Sequence, residues 1–366
     1  MKKIVAAAAA GLILAGAAFA DVSFSWKRTN IVGGTKKSAK ELNAVARKDC
    51  LGLELSNDIA GVVFDWDIEE DTSVSKLALD SYYGWMTFGL PVGNLQVTSG
   101  KWSGRYSDRV KSDAGDLDSD YYEAYKLGVI DNKDYKKSIA SDSDNLTDGK
   151  MSTVLAYTLA DTLPGTLLVK AGIRAGAYDK YDSQSGFVAE VGYRQEGLIN
   201  VDVAIKSPAN KQTIIGAFVS PLMVENLRAT VGFTMGNNDG DKEFAFDARA
   251  RYAVTEKTAV TGMFNYSSIS KELAGTSDDV NKMWTMISVN HVAGDNIRFL
   301  ATLQNTVRDF DADNNGNNLT AFTPACEIQI SEKALFTAAF DMRWDNKTPY
   351  AGVGDVSLPI YVTLSL

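Results

Sequence analysis

The chain has 366 residues, of which 45% are apolar, 23% charged and 10% aromatic, with 30 Gly and only 7 Pro. That is too rich in apolar and aromatic side chains for a disordered chain, and long enough for one large or two ordinary domains. A formal net charge of -9 makes nucleic acid a poor partner, and a single His leaves almost no material for metal clusters or His-based triads.

Residues 1–20 read as a cleaved signal peptide: Lys2 and Lys3, an apolar run from Ile4 to Ala18, and the small-residue end Ala18-Phe19-Ala20. Cleavage there starts the mature chain at Asp21, where 35 Lys plus Arg face 46 Asp plus Glu, a net charge of -11. Asp21, where a lipoprotein has Cys, argues against a lipid anchor. No later stretch approaches the roughly 18 apolar residues of a membrane helix, so a membrane-spanning form has to be a barrel.

From Asp21 onward the dominant signal is period two, in segments of roughly eight to twelve residues. Leu167, Val169, Ala171 and Ile173 alternate with Leu168, Lys170, Gly172 and Arg174. Phe187, Ala189, Val191 and Tyr193 alternate with Val188, Glu190, Gly192 and Arg194. Phe244, Phe246, Ala248, Ala250, Tyr252 and Val254 do so with Ala245, Asp247, Arg249, Arg251 and Ala253, and Phe336 to Trp344 with Thr337, Ala339, Asp341 and Arg343. One face suits lipid and the other water.

Assigning every such run predicts eighteen strands, starting near 22, 48, 59, 79, 93, 150, 166, 186, 198, 211, 226, 243, 258, 281, 296, 319, 334 and 356. Weaker alternation over 79–100 and 207–226 leaves sixteen as the alternative. Connections alternate between short turns, such as Ser56-Asn57-Asp58 and Thr255-Glu256-Lys257, and longer polar loops over 29–47, 69–78, 101–149, 268–280, 308–318 and 345–355. That alternation is expected of an outer-membrane barrel with short periplasmic turns and long extracellular loops. The expected fold is therefore all-β: one closed antiparallel transmembrane β-barrel spanning 21–366, in the bacterial outer membrane. Outward aromatics near the loop ends (Trp26, Trp66, Tyr266, Trp344) and turn ends (Tyr193, Tyr252, Phe299, Phe336) suggest two interfacial girdles.

The last segment, Val356 to Leu366, keeps apolar residues at alternate positions to its end. It resembles the C-terminal strand signature of outer-membrane β-barrel proteins, which implies the barrel-insertion machinery as a partner, although Leu366 stands where an aromatic is typical. The whole arrangement, with a signal peptide, no N-terminal plug and one dominant early loop, resembles the bacterial porins. The Ala-rich signal and non-aromatic end suit a spirochaetal or other less typical Gram-negative lineage. The resemblance implies passive diffusion of small hydrophilic solutes, lipid as the surrounding partner, and assembly as a homotrimer.

A barrel this wide is not filled by its own side chains. The loop 101–149 is the element large enough to narrow it, and it is acidic, with Asp116, Asp118, Asp120 and Glu123 at its centre. The inward wall carries Lys170, Arg174, Arg194, Arg249, Arg251, Arg298 and Arg343, interspersed with Glu190, Asp247 and Asp341. An acidic loop folded against a basic wall sets up a transverse field that favours hydrophilic solutes; the competing expectation is that these charges pair across strands and stiffen the barrel. Five loop tyrosines (Tyr106, Tyr121, Tyr122, Tyr125, Tyr135) offer a carbohydrate-selective alternative, and the long loops a surface adhesin or structural one.

No cofactor is expected beyond weakly bound Ca²⁺ in the acidic loops Asp309 to Gly316 and Asn238 to Asp241. The EF-hand pattern fails there, since Asn314 replaces its Gly and Thr320 its Glu. Cys50 is expected inward and Cys326 outward, against a disulfide, and His291 is expected as an ordinary strand-end residue. Catalysis is not expected.

Overall fold

The computed structural model describes residues 21–33, 45–71, 74–102, 150–160, 163–174, 186–207, 212–238, 240–271, 279–308, 317–345, 355–357 and 360–365. Its first strands are β1 (Asp21–Gly33), β2 (Val45–Ser56), β3 (Ala60–Asp71), β4 (Val74–Gly89), β5 (Asn94–Trp102), β6 (Lys150–Leu159) and β7 (Thr166–Arg174). Then come β8 (Gly186–Gln195), β9 (Ile199–Ser207), β10 (Gln212–Pro221), β11 (Leu227–Asn238), β12 (Asp241–Thr255), β13 (Thr258–Ile269) and β14 (Val280–Val292). The last are β15 (Ile297–Arg308), β16 (Asn317–Ser331), β17 (Ala334–Ala339), β18 (Asp341–Asp345), β19 (Asp355–Ser357) and β20 (Ile360–Ser365).

From β1 to β17 each strand pairs antiparallel with the next, and β1 pairs with both β2 and β20, for example Trp26↔Leu51 and Asn30↔Val362, so the ladder closes on itself. β17 and β18 are two halves of one stave, since both pair with β16, and β19 and β20 form the next, pairing with β18 and β17. Among the described residues the barrel therefore has eighteen staves. The break between β17 and β18 has a local cause in Pro324 on β16. Phe340 N–H donates to Pro324 O at 2.9 Å, but Pro324 has no N–H to return, so the ladder is interrupted there.

The packing is inside-out relative to a water-soluble protein. Along β8 and β9 burial alternates strictly over most of the length. Val188, Glu190, Asn200, Asp202 and Lys206 are buried on the inner face, while Val191 is 53% and Val203 47% exposed on the outer one. Among the described residues the exposed apolar set continues along successive strands through Ile215, Val231, Phe233, Ile287, Leu303 and Phe340, as on a lipid-facing wall. Aromatic pairs line that face on β12 and β13, with ring centroids of Phe246 and Phe264 6.0 Å apart.

Short connections follow the even strands from β2 to β16, on the side where β1 begins. The expected long connection over 69–78 is instead strand: β3 runs to Asp71 and β4 starts at Val74, paired as Asp71↔Val74. Backbone pairing carries β3 and β4 on through residues without hydrophobic alternation, and an irregularity between Asp65 and Trp66 offsets the phase. For the same reason Trp66 lies midway along β3, stacked on Phe64 at 5.9 Å, and Trp26 midway along β1, rather than at a loop-side girdle. The turn-side set Tyr193, Tyr252, Phe299 and Phe336 sits near the turn ends of its strands as expected.

Asn238 pairs with Asp241, so the proposed cation loop Asn238 to Asp241 is a tight hairpin. Gly240 there takes φ 108°, which a side chain would oppose, and its N–H donates to Asn237 Oδ1 at 2.9 Å. Among the described residues no group of three or more His, Cys, Asp or Glu is placed to hold a metal ion. The other candidate, Asp309 to Gly316, lies outside the described residues, as do the signal peptide and the acidic set Asp116, Asp118, Asp120 and Glu123.

Candidate functional site: the inward wall

Because side chains alternate strictly along a strand, the register that turns Val169 and Val191 to lipid turns Lys170, Arg174, Glu190 and Arg194 inward. Asp247, Arg249 and Arg251 follow on β12, and Arg298 on β15. In backbone register Arg343 pairs with Ala321 and Asp341 with Ser357.

Most of these cations are held by carboxylates. Lys170 and Glu190 are direct cross-strand partners, with Nζ 3.0 Å from Oε2. Arg249 donates to Asp247 two residues along its own strand, with Nη2 2.6 Å and Nε 3.0 Å from the carboxylate oxygens. Arg298 pairs with Glu327 across β15 and β16. Arg194 grips Glu196 in the β8–β9 turn with Nε 2.5 Å from Oε1, and this hydrogen bond holds the Glu196 carboxyl below its ordinary range. Arg194 thus belongs to the turn-side mouth rather than to a mid-channel narrowing. Glu327 was missing from the sequence reading, although it falls in step with inward Ala321, Thr323 and Ala325.

Burial around the wall is uneven. On β13 to β17 the buried inward residues are mostly small, such as Thr261, Ser288, Thr302, Thr323 and Thr337, which larger neighbours shade on a concave surface. Long side chains are buried there too, with Met286 4%, Leu300 2% and Glu327 4% exposed, and on β7 to β10, with Arg174 4%, Glu190 1%, Lys206 2% and Phe218 9% exposed. Here Val154, Val188, Ala204 and Phe218 form an apolar cluster inside the barrel, with Trp102 packed against it. Glu54 on β2 and Arg228 on β11, both close to the turn ends of their strands, are exposed.

A third stretch of wall, on β3 to β5, is aromatic. Tyr83, Trp85 and Trp102 all face inward, and the rings of Tyr83 and Trp102 lie 5.8 Å apart. Trp85 lies over its cross-strand partner Gly61, where a Cβ would come within 2.6 Å of Nε1 and 2.7 Å of Cε2. Ser81 Oγ donates to Asp65 Oδ2 at 2.7 Å, and Gln96 Nε2 to Thr87 Oγ1 at 3.4 Å.

Outside the barrel, His291 Nδ1 lies 3.0 Å from Thr258 Oγ1 near the turn end. Cys326 is free and half-buried on the outer face.

A closed, eighteen-stave antiparallel ladder with an apolar outside and a charged inside is the fold of outer-membrane β-barrels of the porin kind. No protein-family model and no curated protein matches the sequence. Solved structures do match over nearly the whole length. OmpT of Vibrio cholerae, an outer-membrane protein in its trimer form, aligns at TM-score 0.55 and 11% identity over 95% of this chain and 99% of that one. OccK3 (OpdO) of Pseudomonas aeruginosa gives 0.55 and 10% over 97% and 99%. The anion-selective porin of Comamonas acidovorans gives 0.54 and 10% over 95% and 100%.

Proposed function

We propose that the protein is an outer-membrane porin passing small hydrophilic solutes by passive diffusion. The observation that carries this reading is the inversion of polarity across one closed wall, apolar belt outside and paired charges inside. A barrel of eighteen staves has a circumference that its own side chains do not close.

The connection 103–149 is the element that narrows the lumen. It leaves from Trp102, which packs on the cluster of Val154, Val188, Ala204 and Phe218, and its acidic composition complements the buried cations Arg174 and Lys206. Assembly as a homotrimer is supported by the trimer form of the Vibrio cholerae relative in fold. Purified protein inserted into planar bilayers should conduct in KCl without an energy source, and removal of 105–145 should raise conductance. A folded wild-type barrel that conducts nothing, and stays closed after that deletion, would overturn the proposal.

A further inference from the structure

We propose that Glu190 of β8 and Asp202 of β9 hold one proton between them, as a carboxyl–carboxylate clasp on the inner wall, and that release of this proton loosens the β8–β9 pairing. The inference rests on the closed barrel and not on the channel reading.

Register brings the two acids together. Glu190 pairs with Ala204 and Gly192 with Asp202, so the acids are diagonal neighbours on the inner face of adjoining strands, roughly 7–8 Å apart at the backbone. That gap is closed by the way Asp202 lies. Its carboxylate is laid across β8 at Gly192, where a Cβ would collide with Oδ1, and only glycine leaves that place open. The Asp202 carboxyl thereby comes within hydrogen-bonding reach of Glu190. Both residues are sealed from water, Glu190 at 1% and Asp202 at 0% exposure.

An ionised carboxylate only accepts hydrogen bonds, so a bond between two carboxyl groups requires that one of them carry the hydrogen. Two ionised carboxylates side by side and away from water repel in a poorly screening medium. One proton converts that repulsion into a charge-assisted O–H···O bond. Glu190 Oε2 takes the ion pair with Lys170 at 3.0 Å, while no donor among the described residues reaches Oε1. The shared hydrogen fills that place.

The surrounding groups are few. Lys170 and Arg174 stand on the inner face of β7, Arg194 on β8 and Lys206 on β9. Arg194 is turned to Glu196, and Lys206 interacts with Glu243 of β12. From β10 the inner face presents Ile214, Gly216, Phe218 and Ser220, none of which titrates. The chain's single His lies outside the barrel as His291, against Thr258, so no imidazole exchanges protons beside the pair. With the proton in place the two carboxyls tie β8 to β9 on the lumenal side. Once it passes to water, two carboxylates are left in contact, and relief of their repulsion parts the side chains and admits water to the ladder.

The test is infrared spectroscopy of the full-length barrel refolded in phosphatidylcholine vesicles, reading the C=O stretch of protonated carboxyl, a form that ordinary Asp and Glu lack at neutral pH. Wild type should show a component of that band at neutral pH that is lost on alkaline titration, and Glu190→Gln and Asp202→Asn should each remove it. Hydrogen exchange of the β8 and β9 amides, divided by the intrinsic rate at each pH, should quicken across the same titration in wild type and stay level in Glu190→Gln. A folded wild type without the band overturns the clasp. A band that survives Asp202→Asn belongs to one acid alone and overturns the sharing. If a variant does not fold, the wild type decides: loss of the band and quickened exchange must coincide in pH, and exchange that stays level through the loss overturns the loosening.

Discussion

At the residue scale, the lumenal cations are mostly members of pairs. Glu190 is buried and Lys170 nearly so, and a buried pair broken from one side leaves a charge without compensation. Lys170→Met should therefore destabilise the barrel by about 3 kcal/mol, while Lys257→Met, in an exposed turn, should change stability by less than about 0.5 kcal/mol. Urea unfolding in lipid vesicles measures both, and equal effects would mean that Glu190 finds another partner. The alternation placed Lys170 and Glu190 on one face from sequence alone. Their direct opposition followed only from the register Lys170↔Glu190, which depends on the β7–β8 pairing rather than on either strand.

At the element scale, a strand's two faces have opposite tolerances. Val191 lies mid-strand on the lipid side of β8 and Gly192 beside it faces inward. Val191→Arg should cost about 2–4 kcal/mol, the range for a cation at the bilayer midplane. Single cysteines at Val169, Phe246 and Phe340 should resist water-soluble thiol reagents, whereas cysteines at Arg249 and Arg343 should react through the lumen. The reversed pattern would put every register off by one residue. Strands were legible wherever lipid imposed alternation, as in β7, β8 and β12. The start of β4 was not, because Val74-Ser75-Lys76 carries no hydrophobic alternation and its strand structure follows from pairing with β3.

At the scale of the whole molecule, the pairing pattern changes how wall charge acts on permeant ions. Arg249 is already balanced by Asp247, so removing it leaves the aspartate uncompensated in the lumen. Neutralising Arg249, Arg251 and Arg343 together should shift permeability toward cations, and Asp247→Asn should shift it the other way. Reversal potentials across a KCl gradient give the sign, and a shift of the same sign in both variants would remove Asp247 and Arg249 from the ion path. The burial of long polar side chains such as Glu190 and Lys206 on the inner wall is a property of the closed ring and of no single strand.

The sequence by itself determined the fold class and which face of most strands meets lipid, because a bilayer forces every spanning strand to alternate apolar with polar residues and forces the backbone to pair in a closed ring. Those constraints are local and repeat along the chain, so each segment shows them independently. Only the tertiary structure decided the partners. That Arg298 meets Glu327, that Trp85 packs against Gly61, and that Pro324 splits the stave opposite it all depend on register between strands. Register is set by the sum of turn geometry and ladder hydrogen bonds over two strands at once, which no single run of residues reveals.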